Sequence, residues 1–582
     1  MTSVIPDRPR RVIRDAHDGA SPTDNVPGRR PDFADHAVRR QDIQGLRAVA
    51  VLLVVAFHSG LHVPGGFIGV DVFFVISGFV ITSSLIAELT RSGAISLPRF
   101  YGRRVKRLLP GLALMLVVVT LAGTLAGPAA TQRTGSITGV FASVFAANLY
   151  LGSLPTGYFD VSTGLNPLLH TWTLAVEEQF YLVFPLLLLA SWWLGRALGS
   201  VGKWLVGASV ISVVSIASFV YSGLAPERVA FYSASTRAWE FGAGALLLLG
   251  RPMFSRLPAQ PARLLGLVGL GSILAAALAS SSASSPGRTA LLPVAGTCAL
   301  LAGGTATTTG TARALASRAA CWIGDRSYGW YLWHWPLIVF AAAIWPGSTA
   351  AATLAATTAL LPTWFSYRFV ENPIRFRRSI RGRSLLLLAL VCTVVPVAAC
   401  AGALAISKRL ADTSSMSSWS DGRVLHADSV RRCDSYVPLG STRNGNCTWR
   451  VLSPRGRIVL MGDSNAGQLT EPVVRAGNDA GFNVTVTTFS SCPYVGLPEN
   501  PFCQRFSDRT IATLVRDRPS LVILASRTDV YLRNAKGSGV RRWQQRLGRV
   551  LARLNGAEVP VLLVHPVPRL PISPDRCAVI SI

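Results

Sequence analysis

Two ionisable side chains sit in a stretch that is otherwise apolar. Arg47 and His58 lie eleven residues apart in LRAVAVLLVVAFH. At 1.5 Å of rise per residue a helix would separate them by about 16 Å. Ionisable groups inside an apolar span are costly and tend to be kept for function. A neutral imidazole is suited to take a proton from a hydroxyl near neutral pH. Alone, each has a plainer explanation: Arg47 as a snorkelling anchor, His58 as a satisfied core histidine.

Other candidates follow along the chain. Asp71 lies in the apolar FIGVDVFFVISGF. The basic cluster RFYGRRVKRLLP, with Arg99, Arg103, Arg104, Lys106 and Arg107, can cradle a phosphate-bearing donor or serve topology alone. His170 and Glu177 fall in NPLLHTWTLAVEEQFYLVFPL, where Glu177 and Glu178 cannot both face lipid. Arg237 and Glu240 share a helix face and can pair. His334 stands among aromatic residues in SYGWYLWHWPL, a composition that also fits an interface belt. Glu371 precedes Asn372 and Pro373. Far downstream, Gly462-Asp463-Ser464-Asn465 follows a strand-like run and opens a helix-like one, so Ser464 would sit where backbone N–H groups and a helix dipole meet a developing oxyanion. An ordinary N-cap is the plainer account of that tetrapeptide.

The elements that must hold these residues are legible from hydropathy. The chain has 582 residues, half of them hydrophobic and 15% charged. Apolar runs of roughly 20 residues, each long enough to cross a bilayer, recur from Leu46 to Ile406 and then stop. Twelve are counted, near 46–62, 67–89, 108–127, 136–153, 172–194, 204–222, 230–250, 264–282, 289–305, 327–345, 349–370 and 384–406. The net charge of +28 would suit a nucleic-acid binder, but the arginines sit in short loops between apolar runs and in the first 40 residues. That is the positive-inside pattern, and no nucleic-acid partner is expected. Basic loops 91–107, 196–203, 251–263, 313–326 and 375–383 are placed in the cytoplasm. Parity then requires one run not to cross. The weakest is 136–153, rich in Ser, Gly and Asn, which leaves eleven crossings, the N-terminus inside and everything after Ile406 outside.

The close pairs Cys433/Cys447 and Cys492/Cys503 independently suggest disulfides and an oxidising compartment. Residues 1–42, rich in Arg, Pro, Asp and Gly, are expected to form a disordered cytoplasmic tail. Residues 43–380 form the membrane domain, 381–406 a final span, 407–430 a linker and 431–582 a polar domain. In that last part strand-like and helix-like runs alternate, which predicts an α/β domain with a parallel sheet. The fold class expected is thus a polytopic α-helical membrane domain followed by an α/β extracytoplasmic domain.

The ordered set LRAVAVLLVVAFH, GGFIGVDVFFVISGF, RFYGRRVKRLLP, LLHTWTLAVEEQFYL, SYGWYLWHWP and YRFVENP, over about residues 40–380, resembles the membrane acyltransferase-3 family. The resemblance implies a plasma-membrane enzyme that moves an acyl group, commonly acetyl, from cytoplasmic acyl-CoA to an envelope glycan or glycolipid. It implies His58 as base or acyl relay and Arg47 as the donor-side group. No bound cofactor and no metal are expected. The GDS turn resembles the SGNH hydrolase/transferase domain, which makes Ser464 the nucleophile, beside Asp463. Two departures stand out. No D-x-x-H segment occurs before Ile582, and Ser526-Arg527-Thr528-Asp529 replaces the usual Gly-x-Asn-Asp. With the unpartnered Cys577, they lead to the expectation that the chain as given is truncated. The alternatives weighed are a transporter with an extracellular receptor-like domain and a lipid-linked-sugar glycosyltransferase.

Overall fold

The computed structural model describes residues 40–126, 129–154, 166–279, 289–306, 309–411, 426–498, 500–532 and 537–566. Residues 1–39 of the expected tail, most of the linker, Cys577 and the stretch after residue 566 lie outside the described residues; Gln41 and Asp42, expected in the tail, instead open the first helix. The chain divides into two compact units, one holding Met1–Leu121 and Thr134–Ala401, the other Ala122–Arg133 and Gly402–Ile582.

The first unit is helical. Its elements include α1 (Gln41–His58), α2 (Gly69–Ser92), α3 (Leu97–Ala126), α4 (Ala129–Ser143), α5 (Ala147–Ser153), α6 (Thr171–Leu194), α7 (Gly199–Leu224), α8 (Ala234–Leu249), α9 (Ala259–Ala279), α10 (Leu291–Ala306), α11 (Arg318–Ile344), α12 (Thr349–Thr358) and α13 (Arg383–Ala411). Among the described residues, seven helices are long and apolar enough to cross a membrane. The other predicted spans fall short for physical reasons. α8 is 16 residues long and carries Arg237 and Glu240, and α11 carries Arg318, Asp325, Arg326 and His334. A span that lines a polar interior is less apolar than one that faces lipid. The run 349–370 is broken into α12, a short helix Leu360–Phe365 and a π-turn at Ser366–Glu371. The run 136–153 is not one helix either: α4 and α5 are separated at Phe145, whose φ is 54°.

One expectation needs correcting. The sequence places the basic cluster in a loop, but α3 starts at Leu97, so Arg99, Arg103, Arg104, Lys106 and Arg107 ride its first three turns. Arg99, Arg103 and Arg107 recur every four residues and share a face.

Two helix pairs matter most for the chemistry. α2 and α8 meet at glycine: a Cβ on Gly78 would collide with the Phe241 carbonyl, and one on Gly244 with the Val75 carbonyl. α1 and α11 are likewise close, since a Cβ on Gly324 would strike the Gln44 backbone. Glycine removes the side-chain spacer and lets backbones approach.

The second unit is a five-stranded sheet in the order β1-β3-β2-β4-β5 (Thr448–Trp449, Asn483–Thr488, Arg457–Gly462, Leu521–Ala525, Val561–Val564). β2 pairs in parallel with β3 and β4, and β4 with β5; only β1 is antiparallel. The central strands are buried after their first residue, as expected where helices cover both faces. Helices α14 (Ser464–Gly467), α15 (Thr470–Asp479), α16 (Pro501–Asp517) and α17 (Gly537–Asn555) connect them. The one helix expected after the GDS turn is therefore two, and the two-residue β1 was not foreseen. Cys433–Cys447 and Cys492–Cys503 are disulfide-bonded, with Cα separations of 5.7 and 5.4 Å.

Candidate active site

Within the helical unit a cavity of about 1240 Å³ opens among α1, α2, α3, α6 and α11. Arg47, Arg99, Arg103, Arg104 and Arg107 line it, together with Glu88, Glu177 and Glu371. The cationic groups outnumber the acids, and several are held by neighbours rather than by an opposite charge. Arg104 stacks over Tyr181 with its Cζ 3.9 Å from the ring centre. Arg47 Nη1 donates to Gln44 Oε1 at 3.3 Å. Arg99 and Arg103 reach Glu88 only at 3.9 and 3.6 Å, through well-exposed side chains, a weak hold. Of the two adjacent glutamates, Glu177 turns into the cavity, where it accepts from Ser77 Oγ at 2.5 Å and from the Tyr181 hydroxyl. Glu371 accepts from Ser366 Oγ at 2.7 Å across the π-turn.

The buried Thr173 and Tyr331 also line the cavity, and the Tyr331 ring packs against His170 and His334 at 5.5 and 5.4 Å, although none of the three histidines His58, His170 and His334 is itself among the lining residues. Tyr331 Oη is 2.7 Å from Thr173 Oγ1 and donates to the His170 carbonyl at 3.1 Å. His58 Nδ1 lies 2.9 Å from His334 Nε2, with the two rings nearly parallel. His170 sits edge-on to His334 at 5.8 Å, and Trp335 packs on His58 at 4.6 Å. His334 and His170 are wholly buried, so His334 belongs to the core and not to an interface belt.

The local sequence explains part of this. Pro336 has no N–H, so the Leu332 carbonyl one turn back loses its helix donor. His170 Nε2 lies 3.0 Å from that oxygen. His170 Nδ1 is buried and has no hydrogen-bond partner among the described residues.

Asp71 and the Arg237–Glu240 pair converge on one guanidinium. Arg237 Nη1 donates to Asp71 Oδ1 at 2.9 Å and to Glu240 Oε1 at 2.8 Å, all three groups being buried. None of the three lines the cavity. They brace α2 against α8 and do not touch the histidines. Sequence reading missed Ser77, Thr173, Tyr181 and Tyr331. Helical spacing was an available signal for Tyr331, which is one turn before His334.

In the α/β unit Ser464 begins α14 at the carboxyl end of central strand β2 and is exposed. Among the described residues, no base is hydrogen-bonded to its hydroxyl. Asp463 is spoken for: Oδ1 accepts from Asn465 N at 2.8 Å, while Oδ2 accepts from Arg527 N at 3.0 Å and Tyr531 Oη at 2.9 Å. Burial, reinforced by the Asp463 charge, pushes the Tyr531 phenol well above its ordinary range and Tyr494 up to about 12. Ser526, at the replaced Gly-x-Asn-Asp position, is buried and accepts from Tyr494 N at 3.2 Å. His565 is exposed just past β5, two strands from β2.

Residues 40–368 match the family model described as an acyltransferase domain. The chain belongs to the acyltransferase-3 family. Residues 432–581 match the SGNH domain that is fused to such acyltransferase-3 domains. Acyltransferase-3 relatives include "Peptidoglycan O-acetyltransferase OatA" of Listeria monocytogenes, 33% identical over 351 residues, covering 57% of this chain and 55% of the relative. "Putative peptidoglycan O-acetyltransferase YrhL" of Bacillus subtilis is 30% identical over 346 residues, 57% of this chain and 54% of the relative. "Putative O-acetyltransferase SACOL0978" of Staphylococcus aureus is 31% identical over 347 residues, 57% of each chain. The match thus spans about half the length of these curated relatives. No solved structure matches the chain. Its apolar helices and its family make this acyltransferase-3 chain a multi-pass membrane protein.

Proposed function

We propose that the protein is a membrane O-acetyltransferase that takes acetyl from cytoplasmic acetyl-CoA and delivers it to a hydroxyl of an envelope glycan, peptidoglycan being the first candidate. One observation carries this reading: an arginine-lined cavity of about 1240 Å³ whose lining residue Tyr331 packs against His170 and His334, the latter bonded to His58. Arg99, Arg103, Arg104 and Arg107 offer planar donors to phosphate groups. Arg47 lines the same cavity from α1, eleven residues before His58. His58 takes the proton of the attacking hydroxyl; its oxygen bonds to the acetyl carbon, the C–S bond breaks, and the proton passes to the departing thiolate sulfur. The names of the relatives favour an envelope-glycan acceptor. Asp71, Arg237 and Glu240 act in this scheme as a brace.

If the runs at 230–250, 289–305, 327–345 and 349–370 cross as well as the seven long apolar helices, eleven crossings would put the N-terminus inside and the α/β unit outside, where its two disulfides suit an oxidising compartment. Ser464 would stand there, on a turn positioned by Asp463, as a second acyl-accepting hydroxyl that the thioester step does not require.

Purified full-length protein in liposomes, given labelled acetyl-CoA and peptidoglycan fragments, should yield labelled O-acetyl ester and free CoA. Thioester hydrolysis without ester on the glycan would reject the acceptor class, and no consumption of acetyl-CoA would reject the donor. Cysteine labelling at 407–411 and 426–430 should report the outer face; cytoplasmic labelling there would reject the sidedness.

A further inference from the structure

We infer that His334 is the positioning residue that fixes the tautomer of His58 and so makes Nε2 of His58 the nitrogen that takes the proton. The inference rests on His58 being the base in the reading above.

It follows from counting hydrogens. His334 Nδ1 faces two backbone carbonyl oxygens on its own helix, Trp330 O at 3.1 Å and Tyr331 O at 2.8 Å. Carbonyl oxygens only accept, so Nδ1 carries a hydrogen. In a neutral ring the remaining nitrogen, Nε2, then has a bare lone pair. A charged His334 is disfavoured, because the ring is wholly buried among Trp330, Tyr331 and Trp333 and makes no ion pair among the described residues. The partner of His334 Nε2 is His58 Nδ1, 2.9 Å away. With no hydrogen on His334 Nε2, His58 Nδ1 must donate. Neutral His58 therefore has its lone pair on Nε2. When Nε2 takes a proton, the Nδ1–H bond into His334 remains and stabilises the imidazolium. This is the part an orienting carboxylate plays in serine hydrolases, here filled by a neutral imidazole.

The sequence builds this locally. His334 sits one turn after Trp330 and Tyr331 on α11, so its Nδ1 can reach back to their carbonyls without any distant element. The near-parallel rings, tilted by 11°, bring the two nitrogens edge to edge. His170 is outside the chain of donors, because its Nε2 is taken by the Leu332 carbonyl.

Two substitutions at one position separate a positioning role from a structural one. In His334→Gln the amide oxygen can stand where Nε2 stands and keep an acceptor for His58. In His334→Asn the shorter amide reaches only the Nδ1 position, keeping the bond to the helix carbonyls and losing the acceptor. With acetyl-CoA as donor and a peptidoglycan fragment as acceptor, His334→Gln should keep kcat within about tenfold of wild type, while His334→Asn should lose about 10²-fold or more, the scale seen when a catalytic histidine loses its orienting partner. KM for acetyl-CoA should stay unchanged in both. Asn equal to or better than Gln, or a loss carried by KM, overturns the inference. A second arm is independent of folding at position 334: Nδ1-methylhistidine at position 58 blocks the donated N–H and leaves Nε2 basic. Loss of kcat is expected there, and wild-type turnover overturns the inference. An inactive wild-type protein would instead count against the acetyltransferase reading itself.

Discussion

His58 and Ser464 are the two candidate reactive side chains, and the molecule treats them in opposite ways. His58 is assembled from afar: its partner His334 is 276 residues later in sequence, and α1, α11 and the residue that precedes α6 each contribute one ring to the cluster. Ser464 is assembled locally, at a strand end and helix start that the chain makes within a few residues, and Asp463 pins that turn to the loop after β4. The histidine is wrapped by partners, whereas the serine is exposed, with no base on its hydroxyl among the described residues. The contrast teaches that a well-formed nucleophile turn is not yet a nucleophile. A serine hydroxyl needs a base to take its proton, and that base must be brought by other elements.

The largest expected effect tests the side of the comparison that is fully assembled. His58→Ala should lower kcat for acetyl transfer by about 10²–10⁴-fold, with the protein still accumulating in the membrane. Ser464→Ala should leave acetyl-CoA consumption within about twofold, as expected of a site with no shared partners. Radiolabel transfer reads both, and equal losses from the two variants would erase the distinction.

Next comes the brace behind the histidine unit. Arg237→Met leaves Asp71 and Glu240 buried without their cation, and breaking such a buried pair costs about 3–5 kcal/mol. Thermal unfolding in detergent should show a large loss. The double change Asp71→Asn with Glu240→Gln in the Met background should recover part of it. An unchanged midpoint in the single variant would mean that the triad carries no load.

A smaller effect is expected at the serine turn. Tyr531→Phe removes one of three donors to Asp463, at a cost of about 0.5–1.5 kcal/mol. Hydrogen exchange of the Asn465 and Arg527 amides in the full chain should quicken. If exchange is unmoved, the turn does not depend on that bond.

The smallest concerns Asp428, whose carboxyl burial holds above its usual range, against the hydrogen bonds from Thr488 and Ser429. A carboxyl raised in the folded state binds its proton more tightly there than in the unfolded chain. Its contribution is therefore present at acid pH and fades as pH rises through the folded value. Exchange at the end of β3 should slow on acidification, after correction for intrinsic rates, and Asp428→Asn should remove that dependence. An identical pH response in the variant would exclude Asp428 as its source.

What the sequence determined by itself was set by short-range pattern. Apolar runs longer than a bilayer is thick mark helices wherever they pack, and alternation of strand-like and helix-like runs marks the parallel sheet of residues 457–564. The Arg237–Glu240 pair was legible because residues three apart on a helix are neighbours. Tertiary structure alone decided the rest. Helix periodicity says which face a residue is on but not which helix that face meets. So Asp71 joining Arg237, the burial of His334 and its bond to His58 could not be read from spacing. The basic run at 99–107 was misplaced in a loop because charge density was read as a break, whereas Arg and Lys are good helix formers and α3 carries them into the cavity wall. The close approaches at Gly78 and Gly324 that permit these meetings are visible only once two backbones are side by side, since a glycine in sequence does not name the carbonyl it must admit.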